Sequence, residues 1–226
     1  MPFPQSFRAA LFDLDGTLVD TAPDLTIALN TVLAAMDRPS FDVHAVRNMI
    51  GGGARKLIIH ALEQSGGVLG DDVIDRMHKD YLNYYSGAIA VESRPFEGCQ
   101  DMLEELSSRG IAMGISTNKP QALAESLISE LGLRHYFKAI RGWDSVTAPK
   151  PDKLHLLETL NAMGERPENA VMIGDSRHDQ QAATNAGMPV ALVTFGYTAE
   201  PIENVPAGRY LQSLREVPEL FLSDGS

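Results

Sequence analysis

Five short apolar runs limit what this chain can fold into: AALFDLDG at 9–16, IAMGISTN at 111–118, FKAIRG at 137–142, AVMIGDS at 170–176 and PVALVTFG at 189–196. Each has the length of a buried strand and ends in small or polar residues. Between them lie CQDMLEELSSRG, QALAESLISELG, DKLHLLETLNAMG and RHDQQAATNAG, with apolar residues at three- and four-residue spacing and a closing glycine that suits a helix C-cap. This alternation predicts an α/β fold, a Rossmann-like parallel sheet core with helices on both faces. In such sheets ligands sit beyond the carboxyl ends of the strands.

The alternation breaks between Pro23 and Ile89, where PDLTIALNTVLAAM, DVHAVRNMI, ARKLIIHALEQ and DVIDRMHKDYLNYYSGAI read as successive helices without a strand. The expected organisation is a core of residues 1–20 and 91–226, with an α-helical domain at 21–90 inserted just after the first core strand. The two chain crossings, near Val19–Thr21 and Glu92–Pro95, would make a hinge.

The polar residues at the predicted strand ends carry the chemistry. Asp13 and Asp15 leave the first strand one residue apart and share a face if the chain stays extended. Two carboxylates so close do not both ionise cheaply unless a positive charge lies between them or one keeps its proton. Matching groups end the other strands: Thr117 and Asn118 after IAMGIS, Lys150 in TAPKPDK, and Asp175 and Asp179 in MIGDSRHD. Taken singly, DLDGT could be a turn, GDSRHD a helix N-cap, STNKP a loop opener and Lys150 a solvated cation. Their joint placement favours one site.

Composition narrows the partners. A formal net charge of −11 argues against nucleic acid, whose binding needs a basic face, while a bound metal would still admit anionic substrates. The single cysteine, Cys99, excludes an internal disulfide and any multi-cysteine metal site, fits a reducing cytoplasm, and is expected to pack at a helix start. MPFPQSFRAA lacks the apolar run of a signal peptide, and no stretch approaches the ~20 apolar residues of a membrane span, so a soluble protein is expected. The six histidines show no metal-ligand spacing, and His178 is expected at the edge of the site. Trp143, Tyr84 and Tyr85 read as packing residues. Gly51–Gly53 follows a helical pattern and is therefore not a nucleotide-binding loop.

The ordered set DLDGTLVDT, STNKP, APKPDK and IGDSRHDQQAATNAG resembles the four motifs of the haloacid dehalogenase-like hydrolases, with the helical insert in the place of that family's cap. Within it, DLDGTLVDTAPDL, IGGGARKLI, TNKP, GDSRHDQQAATNAG and the tail GYTAEPIENVPAGRYLQSLREV are similar to bacterial phosphoglycolate phosphatases. The resemblance implies hydrolysis of a small phosphorylated metabolite through an aspartyl-phosphate. Asp13 would be the nucleophile and Asp15 the general acid and then base, while Lys150 and Thr117 would steady the phosphoryl oxygens. Asp175, Asp13 and the backbone carbonyl of Asp15 would hold Mg2+, with Asp179 binding or orienting it. Thr17, Asn118, Arg47, Gly52 and Arg55 are the implied substrate-binding residues. Arg47, Arg55 and Lys56 read equally well as solvated helix charges, and Lys56 keeps a phosphonatase open. A β-phosphoglucomutase-like phosphotransferase, a phosphatase of another small sugar or nucleotide monophosphate, and a non-catalytic interaction protein on the same fold are the alternatives. Either a monomer or a homodimer is compatible with the acidic surface.

Overall fold

The computed structural model describes residues 7–198 and 200–221. MPFPQS, Ala199 and residues 222–226, which the sequence reading places in the core, lie outside the described residues. The chain opens with β1 (Ala9–Phe12) and β2 (Val19–Asp20), then passes through α1 (Ala22–Ala34), α2 (Val43–Arg47), α3 (Ala54–Gln64) and α4 (Asp71–Gly87). It returns through β3 (Arg94–Pro95) and alternates α5 (Cys99–Ser108), β4 (Ala112–Thr117), α6 (Gln121–Glu130), β5 (Ala139–Gly142), α7 (Lys153–Met163), β6 (Ala170–Gly174), α8 (Arg177–Ala186) and β7 (Val190–Val193) before β8 (Arg209–Leu211).

The six core strands form a parallel sheet in the order β5-β4-β1-β6-β7-β8. The five apolar runs supply five of them; β8 is the addition. It is three residues long at the sheet edge, and RYL is only partly buried, so no apolar run marks it. Strand alternation divides the core in two. Ala10, Phe12, Met113, Ile115, Val171 and Ile173 face the layer of α5 and α6, whereas Ala9, Leu11, Ala112, Ala170 and Met172 face α7 and α8. Gly114 permits the second layer to lie close, because a Cβ there would sit 2.4 Å from the Met163 sulfur. Cys99 opens α5 buried, and burial pushes its thiol up to about 12. It packs, as expected. Among the described residues, no helix is long and apolar enough to cross a membrane.

α1 to α4 stand over the carboxyl ends of β1 and β4, joined to the core by two strands held side by side. β2 pairs antiparallel with β3, Val19 opposite Pro95 and Asp20 opposite Arg94, and Phe96 N–H donates to Leu18 O at 3.0 Å. Asp24, buried in the first turn of α1, accepts from the N–H groups of Glu92 and Ser93 at 2.8–3.1 Å and from the Ser93 hydroxyl at 2.7 Å. A carboxylate is favoured at a helix N-terminus, and here it also anchors the return crossing. Asp24→Ala orphans two backbone donors and should destabilise the protein by about 2–4 kcal/mol in urea unfolding. A change under about 0.5 kcal/mol, the size of an ordinary surface substitution, would mean the crossing is held by other contacts.

Candidate active site

Asp13 continues β1 by one residue, its N–H donating to Ile173 O at 2.9 Å. The chain then curls: Leu14 O accepts from Thr17, Leu18 and Val19. Gly16 turns with φ +85°, and a Cβ there would sit 2.3 Å from an Asp175 oxygen. Asp13 and Asp15 therefore reach one pocket through a turn rather than through extended alternation. Thr117, Asn118 and Lys119 line it from the end of β4, Asp175 and Ser176 from the end of β6. α1, α3 and α4 cover it with Leu25, Leu57, Tyr81, Leu82 and Tyr85, and the α2–α3 turn adds Ile50, Gly51 and Gly53.

Each of the first two acids has its own lysine. Lys150, with its side chain 1 % exposed, lies 3.1 Å from Asp13 Oδ1 and 2.6 Å from Asp179 Oδ1. Asn118 fixes its backbone in both directions, accepting from Lys150 N–H and donating to Lys150 O, each at 3.0 Å. His155 Nδ1 accepts from the same N–H at 3.3 Å, and its Nε2 lies 3.1 Å from Arg141 O, so the proton belongs on Nε2. Burial, with Lys150 nearby, lowers His155 to about 4 and keeps the ring neutral.

Lys119 is the second cation. Its Nζ donates to both Asp15 oxygens at 3.0 and 3.2 Å and to the Tyr85 hydroxyl at 2.8 Å. Lys150 is the one lysine expected at the strand ends; the structure adds Lys119 as a second. The signal is present in STNKP, since Thr117 and Lys119 are two apart on a chain leaving a strand. Tyr85 packs in the core, as expected, and its hydroxyl in addition holds Lys119 from α4. Tyr84 and Trp143 are exposed rather than packed, at 40 % and 46 %.

Asp175 accepts from Tyr197 N–H at 2.6 Å and from the Thr17 hydroxyl at 3.1 Å. Asp179 Oδ2 accepts from the N–H groups of Asp175 and Ser176 and from the Ser176 hydroxyl, while its Oδ1 accepts from Lys150. This carboxylate can fold back because Gly174 has no side chain; a Cβ would sit 2.4 Å from Asp179 Cγ. Asp13, Asp175 and Asp179 bring oxygens within 4.8 Å of one another, a set able to hold a metal ion. Burial raises the Asp13 carboxyl to about 6 against the pull of Lys150, with Asp179 adding to the rise. Burial, then Asp13 and Asp179, push Asp175 well above the carboxylate range. Burial also opposes the Lys150 charge, yet Asp13 and Asp179 outweigh it and hold Lys150 protonated above its usual range.

The basic residues expected from the insert face elsewhere. Arg47 pairs with Asp20 at 2.6 Å, and Asp20 also accepts from the Tyr197 hydroxyl. Arg55 spans Asp71 and Asp75 at 2.8 and 3.2 Å. Nearby carboxylates thus engage both guanidiniums outside the pocket lining. Gly52 packs on the Lys56 side chain, and it is Gly51 and Gly53 that line the pocket. His178 is half-buried in the first turn of α8, and burial lowers it. Asn118 touches the pocket, but its amide is taken up by Lys150.

The raised Asp13 carboxyl has a sign for stability. Ionisation disfavoured in the fold costs nothing below the unfolded value of 3.8 and destabilises as pH rises through about 6. In Asp13→Asn the remaining Oδ1 keeps the bonds from Leu14 N–H and Lys150. In chelator at pH 7.5 this variant should be more stable than the wild type, by at most about 3 kcal/mol, with the gain vanishing at pH 4. Thermal melts across that range check it; an Asn variant less stable at pH 7.5 would contradict the burial argument.

The chain matches the haloacid dehalogenase-like hydrolases over residues 10–193. It is 40 % identical over 212 residues to a phosphoglycolate phosphatase of Caulobacter vibrioides, covering 94 % of this chain and 90 % of that protein. It is 34 % identical over 190 residues to an N-acetylmuramic acid 6-phosphate phosphatase of Pseudomonas aeruginosa, covering 84 % and 83 %. A crystal structure described as a predicted phosphoglycolate phosphatase from Haemophilus somnus superposes with a TM-score of 0.89 at 27 % identity, covering 95 % of this chain and 97 % of that one.

Proposed function

The chain belongs to the haloacid dehalogenase-like hydrolases, and on that premise we propose that it is a Mg2+-dependent phosphomonoester hydrolase that cleaves 2-phosphoglycolate to glycolate and phosphate. The observation that carries the reading is the paired arrangement of acids and lysines: Asp13 and Asp15, which line one pocket with Asp175, are each held by a lysine, Lys150 and Lys119.

Lys150 and Leu14 N–H both bind Asp13 Oδ1, which leaves Oδ2 to attack phosphorus. Attack forms the Asp13–phosphorus bond as the bond from phosphorus to the leaving oxygen breaks. Asp15 gives its proton to that oxygen, then takes one from the water that cleaves the aspartyl-phosphate. Lys150 and the Thr117 hydroxyl at the end of β4 face the charge that develops on the phosphoryl oxygens. Asp13, Asp175 and the backbone carbonyl of Asp15 would hold Mg2+, with Asp179 orienting the set. Buried, mutually repelling, all-oxygen donors suit that hard cation. Bound there, Mg2+ supplies the positive charge that offsets both the acids and a phosphate dianion.

The substrate rests on the relatives' names and on the pocket walls. Leu25, Ile50, Leu57, Leu82 and Leu123 offer nothing to the hydroxyls of a polyhydroxylated sugar, which would be buried against them without partners. A short acid carries no such row of hydroxyls, and its one carboxylate needs a single cationic partner in the pocket. Residues 21–90 would act as a cap that closes on β2 and β3 and excludes water from the first step.

Phosphate release with Mg2+ should favour 2-phosphoglycolate over β-glucose 1-phosphate and nucleoside monophosphates by about a hundredfold in kcat/KM, or ~2.7 kcal/mol. Asp13→Asn should lower kcat by about four orders of magnitude, and exhaustive chelation should abolish turnover. A flat substrate profile would remove phosphoglycolate from the reading. Full activity in chelator, or an active Asn variant, would overturn the mechanism.

A further inference from the structure

With Arg47 and Arg55 paired outside the pocket lining, the recognition of a negatively charged leaving group needs another source. Lys119 is the one lysine or arginine among the described residues that line the pocket. Its side chain is 4 % exposed, and its partners are Asp15, the proposed proton donor to the leaving oxygen, and Tyr85, which descends from α4. In a phosphoglycolate the carboxylate lies two bonds beyond the leaving oxygen. Lys119 Nζ lies one hydrogen bond beyond Asp15, in a pocket whose other lining residues carry no positive charge.

We propose that Lys119 is the residue that selects the leaving group, its ammonium binding the substrate carboxylate in place of the Tyr85 hydroxyl. This rests on the phosphatase reading above and names the group that would give it specificity. The selected class is the phosphate ester of a short hydroxy acid. The Tyr85 hydroxyl occupies the third donor of Lys119 from α4 and would yield it to substrate, so binding would be felt directly by the insert.

A lysine kept only to hold Asp15 would affect every ester alike, whereas a carboxylate reader affects only acids. The test therefore compares kcat/KM for 2-phosphoglycolate and for its uncharged amide, 2-phosphoglycolamide, in the Mg2+-loaded wild type, Lys119→Met, Lys119→Gln and Lys119→Arg. Any loss transmitted through Asp15 cancels in the ratio of the two substrates. The wild-type ratio should be about 100, falling below about 5 in the Met and Gln variants and staying near the wild-type value in the Arg variant. The Gln variant retains donors for Asp15 and Tyr85, and so reports should the Met variant fail to fold. A wild-type ratio preserved in Met or Gln would overturn the role of Lys119 while leaving the phosphatase intact. A wild-type ratio near 1 would instead remove phosphoglycolate as the substrate, and this inference with it.

Discussion

Everything at this site depends on keeping four carboxylates together at the end of a sheet. Left alone, Asp13, Asp15, Asp175 and Asp179 would repel one another in a poorly solvated pocket. The structure divides the problem. Lys150 bridges Asp13 and Asp179, Lys119 holds Asp15, and backbone N–H groups serve Asp175 and the second oxygen of Asp179. Burial still lifts Asp13 and Asp175, so some unfavourable charge remains for a cation or a substrate to relieve.

The parallel sheet is what assembles these groups. β1 is central, with β4 and β6 on either side, so residues over 150 positions apart in sequence meet where the strands end. Lys150 comes from a loop, and a loop lysine is mobile unless its backbone is held. Asn118 and His155 hold it from β4 and α7, making the charge on Asp13 part of the rigid core. At the other extreme, Tyr197 spans two functions. Its backbone binds Asp175, while its hydroxyl binds Asp20 beside the chain crossing, where Arg47 also docks. The site's acid pocket and the base of the helical insert thus share one residue.

Much of this is legible in the sequence, because the strong signals are local. AALF, AMGIST and AVMIG read as strands, and the acids at their ends fall where a parallel sheet delivers them. The missing parts are those that local pattern does not encode. β8 is too short and too exposed to carry an apolar run. Lys119 sits in a motif that was legible, yet its partner Tyr85 lies 34 residues away on a helix whose register against the core no periodicity reports. Arg47 and Arg55 sit beside a glycine turn that does reach the pocket. Their direction depends on Asp20, Asp71 and Asp75, one of them outside the insert altogether. A charged residue's partner is a tertiary fact, and near a site several acids compete for each guanidinium.

In the proposed reaction Asp13 becomes covalently bonded to phosphorus. Acid quenching of the Mg2+-loaded protein within the first turnover of 2-phosphoglycolate, followed by peptide mass spectrometry, tests it directly. The account predicts one added phosphoryl group on the peptide containing Asp13, lost on treatment with hydroxylamine and absent from Asp13→Asn. Turnover with no phosphorylated peptide in a quench series that resolves the first cycle, or with the group on another residue, would contradict it.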